Sequence, residues 1–241
     1  MIQWLRSLVF TTQMYLVMAI LGLWYIPIAL RHEDGAHRGI RTYCRYVRWS
    51  ARWMINLDSE IRGDIPQGEV LIAAKHQSFF DIIIMCSVLE APKFIMKKEL
   101  IRAPFLGWFA LKIGCIPVDR GKKGEAVKQM LRALDENRGR PGQLIIYPQG
   151  TRVAPGRQLP YKVGPSILYT HLDRACIPVA VNVGVFWPRI GIGKKQGLAV
   201  VEFLDPIAPG MEGKAFLAEL EERVESRSTE LMAEVGFQVP A

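Results

Sequence analysis

EVLIAAKHQSFFDIIIMCSVL, residues 69–89, decides the fold of this chain. Its first part, Glu69 to Ala74, is a short apolar run that reads as a buried strand, and its last part, Asp81 to Leu89, reads as a helix. Between them lies the polar turn Lys75-His76-Gln77-Ser78. Outward from this stretch the same alternation continues. Strands are expected at Lys93 to Met96, Cys115 to Val118, Leu144 to Tyr147, Cys176 to Val183 and Leu198 to Phe203. Helices are expected at Phe79 to Leu89, Pro104 to Lys112, Gly124 to Asn137, Pro165 to Leu172 and about Glu212 to Val235. Strands alternating with helices predict an α/β domain, a largely parallel mixed sheet flanked by helices, over residues 57–241. The last helix, with Phe216, Leu220, Val224 and Leu231 near helical spacing, reads as packing.

The turn holds chemistry as well as topology. His76 stands just past a strand, with the carboxylate of Asp81 five residues on at the start of a helix. An imidazole takes a proton from a hydroxyl, and a carboxylate on its other ring nitrogen fixes the tautomer. A second reading stands beside this one: Ser78 and Asp81 fit a capping box, which needs no catalysis. In sheets of this kind ligands bind at the carboxyl ends of strands. His76, Asp119-Arg120 and Pro148 to Arg152 all follow strands, and are expected to converge. Asp119-Arg120-Gly121-Lys122-Lys123-Gly124 reads either as a solvated turn or as an anion loop opening a helix. In Tyr147-Pro148-Gln149-Gly150-Thr151-Arg152, Gly150 permits a sharp turn, Thr151 and nearby amides donate, and Arg152 suits phosphate oxygens. No GxxxxGK[ST] or GxSxG occurs, so neither nucleotide hydrolysis nor an elbow-type serine nucleophile is expected. No set of neighbouring ligands argues for a metal.

The chain is 241 residues long and half hydrophobic, with 31 Lys+Arg against 23 Asp+Glu and a net charge of +8. That length suits one sizeable core plus an appendage, and the charge suits a partner bearing phosphate. Cys44, Cys86, Cys115 and Cys176 form no CxxC pair and read as core thiols. The appendage is residues 1–56, expected to anchor the protein to a membrane as a helical hairpin. From Leu8 to Leu30 the sequence is almost uncharged, and a helix there would be about 35 Å long, enough to cross a bilayer core. Thr11, Thr12 and Gln13 weaken a full span. Arg38, Arg41, Arg45, Arg48 and Arg52 then form one stripe on a second helix, edged by Tyr46, Trp49 and Trp53. This reads either as a basic amphipathic helix lying on an anionic bilayer surface or as a surface helix packed on the globular domain. Positive charge after the apolar segment predicts that the domain is cytoplasmic.

With these stretches on the page, the sequence resembles the 1-acylglycerol-3-phosphate acyltransferases of the glycerolipid acyltransferase superfamily. Four ordered blocks carry the likeness: His76-x4-Asp81; Gly114 to Arg120, ending in Asp-Arg; Tyr147 to Arg152, against a usual Phe-Pro-Glu-Gly-Thr-Arg; and Ile177 to Asn182. Lys97-x-Glu99-Leu100 matches a further pattern. Two positions depart from it: Lys75 stands where Asn often precedes the histidine, and Gln149 replaces a glutamate. The resemblance implies direct transfer of an acyl group from a thioester, acyl-CoA or acyl carrier protein, to the free hydroxyl of lysophosphatidate. His76 would act as base and Asp81 as its holder, with no further cofactor. Lys97, Arg120 and Arg152, with amides near Gly150 and Thr151, would bind the phosphate. It also implies attachment at the cytoplasmic face of a bacterial inner membrane, monotopic or single-pass. Gln149 leaves open another lysolipid acceptor, such as a lyso-ornithine lipid or a lysophospholipid. A non-catalytic module binding anionic membranes would explain the charge and leave the His-Asp pair unexplained. No nucleic-acid motif is present.

Overall fold

The computed structural model describes residues 1–119, 123–136 and 142–238. Two helices come first, α1 (Ile2–Arg31) and α2 (Gly35–Ile55), followed by β1 (Leu57–Arg62), β2 (Leu71–Ala74), α3 (Phe80–Val88), β3 (Pro92–Lys97) and α4 (Leu106–Lys112). The chain continues through β4 (Ile116–Val118), α5 (Lys123–Glu136), β5 (Gln143–Ile146), α6 (Gly164–Leu172), β6 (Cys176–Val181), β7 (Gly197–Phe203) and α7 (Gly213–Glu234). The strands form one seven-stranded sheet in the order β1-β7-β6-β2-β5-β3-β4. Strands β6, β2, β5, β3 and β4 run parallel; β7 is antiparallel to β6, and β1 is parallel to β7. The expected α/β class with a largely parallel mixed sheet therefore holds.

Side chains alternate across a strand, so β2 feeds two cores. Ile72 and Ala74 pack with α2 and α3, while Leu71 and Ala73 join the cluster containing Leu168, Phe216, Leu220 and Val224. All four cysteines are buried free thiols in these layers. The one strand not expected from sequence is β1. Its Asp58, Glu60 and Arg62 alternate with Leu57, Ser59 and Ile61, but Ser59 interrupts the apolar face.

Helices α1 and α2 form the expected hairpin. They close tightly at Gly35, where an added Cβ would stand 2.7 Å from the Ile28 carbonyl oxygen. Helix α1 is long and apolar enough to cross a membrane. Its inner face buries Ser7, Phe10, Met14, Gly22 and Ala29, and its outer face exposes Trp4, Leu16, Ile20, Leu23 and Trp24. The first third of α1 is tied to the rest of the protein. Gln3 Nε2 donates to the carbonyls of Ile55 and Lys194, and Lys194 Nζ donates to Thr11 Oγ1.

The arginine stripe departs from the bilayer-surface reading. Its central members turn into the protein and receive the end of α3. Arg41 Nη2 donates to the carbonyls of Leu89 and Glu90 at 3.1 and 2.6 Å, and Arg45 Nε to that of Ser87 at 3.2 Å. Arg48 binds Ser87 Oγ, Ser59 Oγ and the Ser59 carbonyl, all within 3.0 Å. The last carbonyls of a helix lack partners and carry negative partial charge, so cations there are favourable on both counts. Only the outer members, Arg38 and Arg52, pair with exposed carboxylates, Asp34 and Asp58. The packed-helix reading is the one the contacts bear out.

His37 of α2 sits in this packed layer with Nδ1 buried and without a hydrogen bond. Burial, then Arg41 and Lys93, lower its pKa from 6.5 to about 4. Because the folded value lies below the unfolded one, its contribution to stability is complete above pH 6.5 and is lost as the pH falls toward 4. The wild-type thermal midpoint is therefore expected to drop more between pH 7 and pH 4.5 than that of His37→Asn. Equal drops in the two proteins would refute this assignment.

Candidate active site

The turn after β2 and the start of α3 are built around the fully buried carboxylate of Asp81. Its Oδ2 accepts the backbone N–H groups of Gln77 and Ser78 at 2.9 and 2.8 Å. These amides belong to the buried turn just ahead of α3, whose N-cap is Phe79, and a negative group near a helix N-terminus is favoured. The same carboxylate receives His76 Nδ1 at 3.0 and 3.1 Å and the Tyr147 hydroxyl at 3.4 Å. Asp81 thus caps α3 and orients His76 together, and the two sequence readings describe one group. Since the carboxylate oxygens accept, Nδ1 carries the proton and Nε2 keeps its lone pair. The His76 ring retains 11% exposure.

Two other segments hold the imidazole. The Tyr147 ring stacks on it with centroids 3.8 Å apart and planes inclined by 17°. The Val153 N–H donates to the His76 carbonyl at 2.8 Å. Because β5 lies beside β2, the end of β5 and the turn of His76 meet, as expected from the sequence.

The other expected residues are spread along the sheet edge. Arg152 precedes Val153 at the rim of the His76 turn, and its Nη1 donates to the Arg189 carbonyl while Arg189 Nη1 donates to the Arg152 carbonyl. Neither guanidinium forms an ion pair with a carboxylate among the described residues. Gly150 takes φ +69°, and an added Cβ would meet Lys162 Nζ at 2.6 Å. Its N–H donates to the Tyr147 carbonyl at 2.8 Å, so the residue makes the turn. Thr151 is half-buried and makes no hydrogen bond with the described residues. Lys97, at the end of β3, is exposed and pairs with Glu99 at 3.2 Å. With β5 and β3 intervening, β4 and Asp119 lie about 14 Å from β2 at ordinary strand spacing. The expected convergence holds for two strand ends and not for that third one. Arg120 lies outside the described residues.

Sequence reasoning missed Arg189, which no motif marks, and the stacking role of Tyr147. It also left Lys75 and Gln149 without a partner. Lys75 Nζ binds Glu225 of α7 at 2.7 and 2.5 Å, and Gln149 Nε2 donates to Glu225 at 3.3 Å and to the Leu159 carbonyl at 3.1 Å.

A His-Asp pair at the carboxyl end of a mostly parallel sheet has the parts of a general-base transferase. Residues 57–182 match the Acyltransferase family model, and the chain belongs to that family. It is similar to the 1-acyl-sn-glycerol-3-phosphate acyltransferase of Pseudomonas aeruginosa, 30% identical over 82% of this chain and 77% of that one. It is also similar to the protein of that name from Escherichia coli, 26% identical over 71% of this chain and 70% of that one. The fold matches the crystal structure of the 1-acyl-sn-glycerophosphate (LPA) acyltransferase PlsC from Thermotoga maritima. The TM-score is 0.80 at 19% identity, over 96% of this chain and 98% of that one.

The geometry makes Asp81→Asn informative. The asparagine oxygen can still cap Gln77 and Ser78, but its NH2 then faces His76 Nδ1 and moves the ring proton to Nε2. Acyl transfer is expected to fall by about 10²- to 10⁴-fold, the range of a lost general base. The thermal midpoint should change little, and nitrogen NMR should report the switched tautomer.

Proposed function

We propose that this acyltransferase moves a fatty acyl group from an acyl thioester to the free hydroxyl of 1-acylglycerol-3-phosphate, giving phosphatidate and a free thiol. The observation that carries this reading is the oriented His76 imidazole, Nδ1 on Asp81, with Arg152 and Arg189 beside its turn. His76 Nε2 takes the hydroxyl proton as that oxygen bonds to the thioester carbonyl carbon. The tetrahedral centre then collapses with cleavage of the C–S bond, and the imidazolium returns the proton to the leaving sulfur. Acyl group and proton are both accounted for without an acyl-enzyme. Base catalysis supplies about 10²- to 10⁴-fold, and positioning of the two substrates must add much of the rest.

Two guanidiniums without carboxylates suit a phosphate dianion, which each can grip through paired donors. Arg152 and Arg189 are therefore assigned to the acceptor head group, with Lys97 at the end of β3 further along the sheet edge; the family resemblance assigns Arg120 to the same phosphate. The acyl chain has a matching apolar cavity of about 130 Å³ under the hairpin, lined by Met18, Ile40, Tyr43, Phe79, Ile82 and Phe109. Phe79 is only three residues from His76. Gln149 spends its amide on Glu225 and Leu159, so its departure from the family pattern gives no reason to prefer another acceptor.

A lipid acceptor agrees with membrane association through the exposed face of α1. Trp49 and Trp53 of α2 and Trp108 of α4 extend that apolar surface. Because α1 is hydrogen-bonded to the protein at Gln3 and Thr11 and shares a cavity with Phe105 and Phe109 near its middle, we assign it to one leaflet, with the domain at the cytoplasmic face where acyl thioesters are made. The donor is acyl-CoA or acyl carrier protein.

Purified protein with lysophosphatidate and each donor tests the reading. Wild type should form phosphatidate, and His76→Ala should lose about 10²-fold or more while staying folded. Arg189→Ala, like Arg152→Ala, should raise the acceptor KM by about 10-fold, as expected for one lost charge-assisted contact. Turnover by His76→Ala at the wild-type rate would end the mechanism, and an unchanged acceptor KM in Arg189→Ala would end that residue's role.

A further inference from the structure

Lys75 and Gln149 are the two residues that break the family pattern, and the fold joins them through a third residue far along the chain. Lys75 directly follows β2 beside His76 and continues its register by donating its N–H to the Val179 carbonyl at 2.9 Å, and Gln149 follows β5 just before Gly150 and Arg152. Strand alternation sends Lys75 to the opposite face of the sheet from His76, toward α7. There Glu225, 15% exposed, meets the Lys75 ammonium, 2% exposed. The Tyr161 hydroxyl also donates to Glu225 at 3.0 Å. Burial and the neighbouring Glu225 carboxylate push the Tyr161 pKa up, which keeps it a donor.

We propose that Glu225 is a positioning residue of the acyltransferase site, its carboxylate locking the turn of His76 to the turn of Arg152 from behind the sheet. The charges explain both unusual residues together. A glutamate at 149 would set a second carboxylate 3.3 Å from Glu225, with one ammonium between them. Glu221, one turn earlier on α7, already has its pKa raised by burial and by Glu225, against a lowering by Lys75, so a glutamate at 149 would join two carboxylates facing one ammonium. The neutral amide instead donates to Glu225, and α7 carries the negative charge. If only stability were served, an apolar pair would do as well, because desolvating two charges offsets most of their attraction. A satisfied buried network holds groups at fixed positions more strictly than apolar packing. This one touches the residue before the base and the turn that carries the phosphate-binding arginine.

The inference rests on the roles assigned to His76 and Arg152, which His76→Ala tests separately. Full-length Lys75→Met/Glu225→Leu is compared with wild type using lysophosphatidate and the donor that wild type accepts, well below each protein's unfolding midpoint. The charge-free pair should fold, with a midpoint below that of wild type only by what the Tyr161 hydroxyl and the Gln149 amide lose with their Glu225 acceptor. Its kcat should fall about 10- to 100-fold, the scale of a misplaced reacting group. The acceptor KM should rise several-fold because Arg152 shifts, and the donor KM should stay. Partial unfolding would lower apparent kcat with both KM values unchanged. That result, or wild-type kinetics, overturns the proposal. If the apolar pair does not fold, Glu225→Asp decides. It keeps the charge but is one methylene too short to reach Lys75 and Gln149 together, and the same changes in kcat and acceptor KM are expected. Their absence overturns the proposal.

Discussion

The site depends on a single carboxylate that has two reasons to be where it is. Asp81 is fully buried, and a buried anion is tolerated only when donors surround it. Gln77, Ser78, Tyr147 and His76 supply them. Two of these donors are buried amides of the turn that leads into α3, which need an acceptor whether or not the site is used. The group that orients the imidazole is thus fixed by the folding of α3, before any substrate arrives. Pre-set orientation of this kind would spare the proposed transfer the cost of ordering its base in the transition state.

Helix α3 is held at its far end as well. Arg41 and Arg45 cap its last carbonyls from α2, so a helix about 13 Å long connects the catalytic turn to the hairpin. A second link runs through rings: Phe80 stacks on Trp187 at 5.0 Å, and Trp187 meets Phe10 of α1 edge-on at 5.6 Å. The apolar outer surface and His76 therefore belong to one packed unit. Whatever depth α1 takes in lipid sets the depth of the imidazole, without a hinge between them.

Much of this was legible in the sequence because strand and helix periods differ. The run from Glu69 to Leu89 showed both in succession, and the later alternation repeated it. The spacing of His76 and Asp81 could be read because both lie within one turn. What periodicity cannot report is the partner of a polar face. The α2 stripe is periodic, and its arginines read alike whether they meet lipid phosphates or the carbonyls of Ser87, Leu89 and Glu90. Strand β1 was hidden because Ser59, whose hydroxyl accepts from Arg48, replaces an apolar residue in its alternation. Arg189 and Glu225 stand outside every motif, and only the tertiary fold brings them to residues 152, 75 and 149. A lysine next to a predicted core strand was the one available hint, since a buried ammonium requires a carboxylate from somewhere.

The two faces of the sheet divide the work at that turn. On the side of His76 lie the stacked Tyr147 ring and the apolar cavity under the hairpin, a low-dielectric setting that would suit the proposed encounter of a thioester carbonyl with the imidazole. On the side of Lys75 lie the ammonium, Glu225, Gln149 and Tyr161. Charges on the first face would have drawn water to the reacting bond. Apolar contacts alone on the second would have left both turns freer to shift. Because successive residues of a strand must point to opposite faces, two adjacent positions, Lys75 and His76, suffice to bind the rigid half of the site to the reactive half.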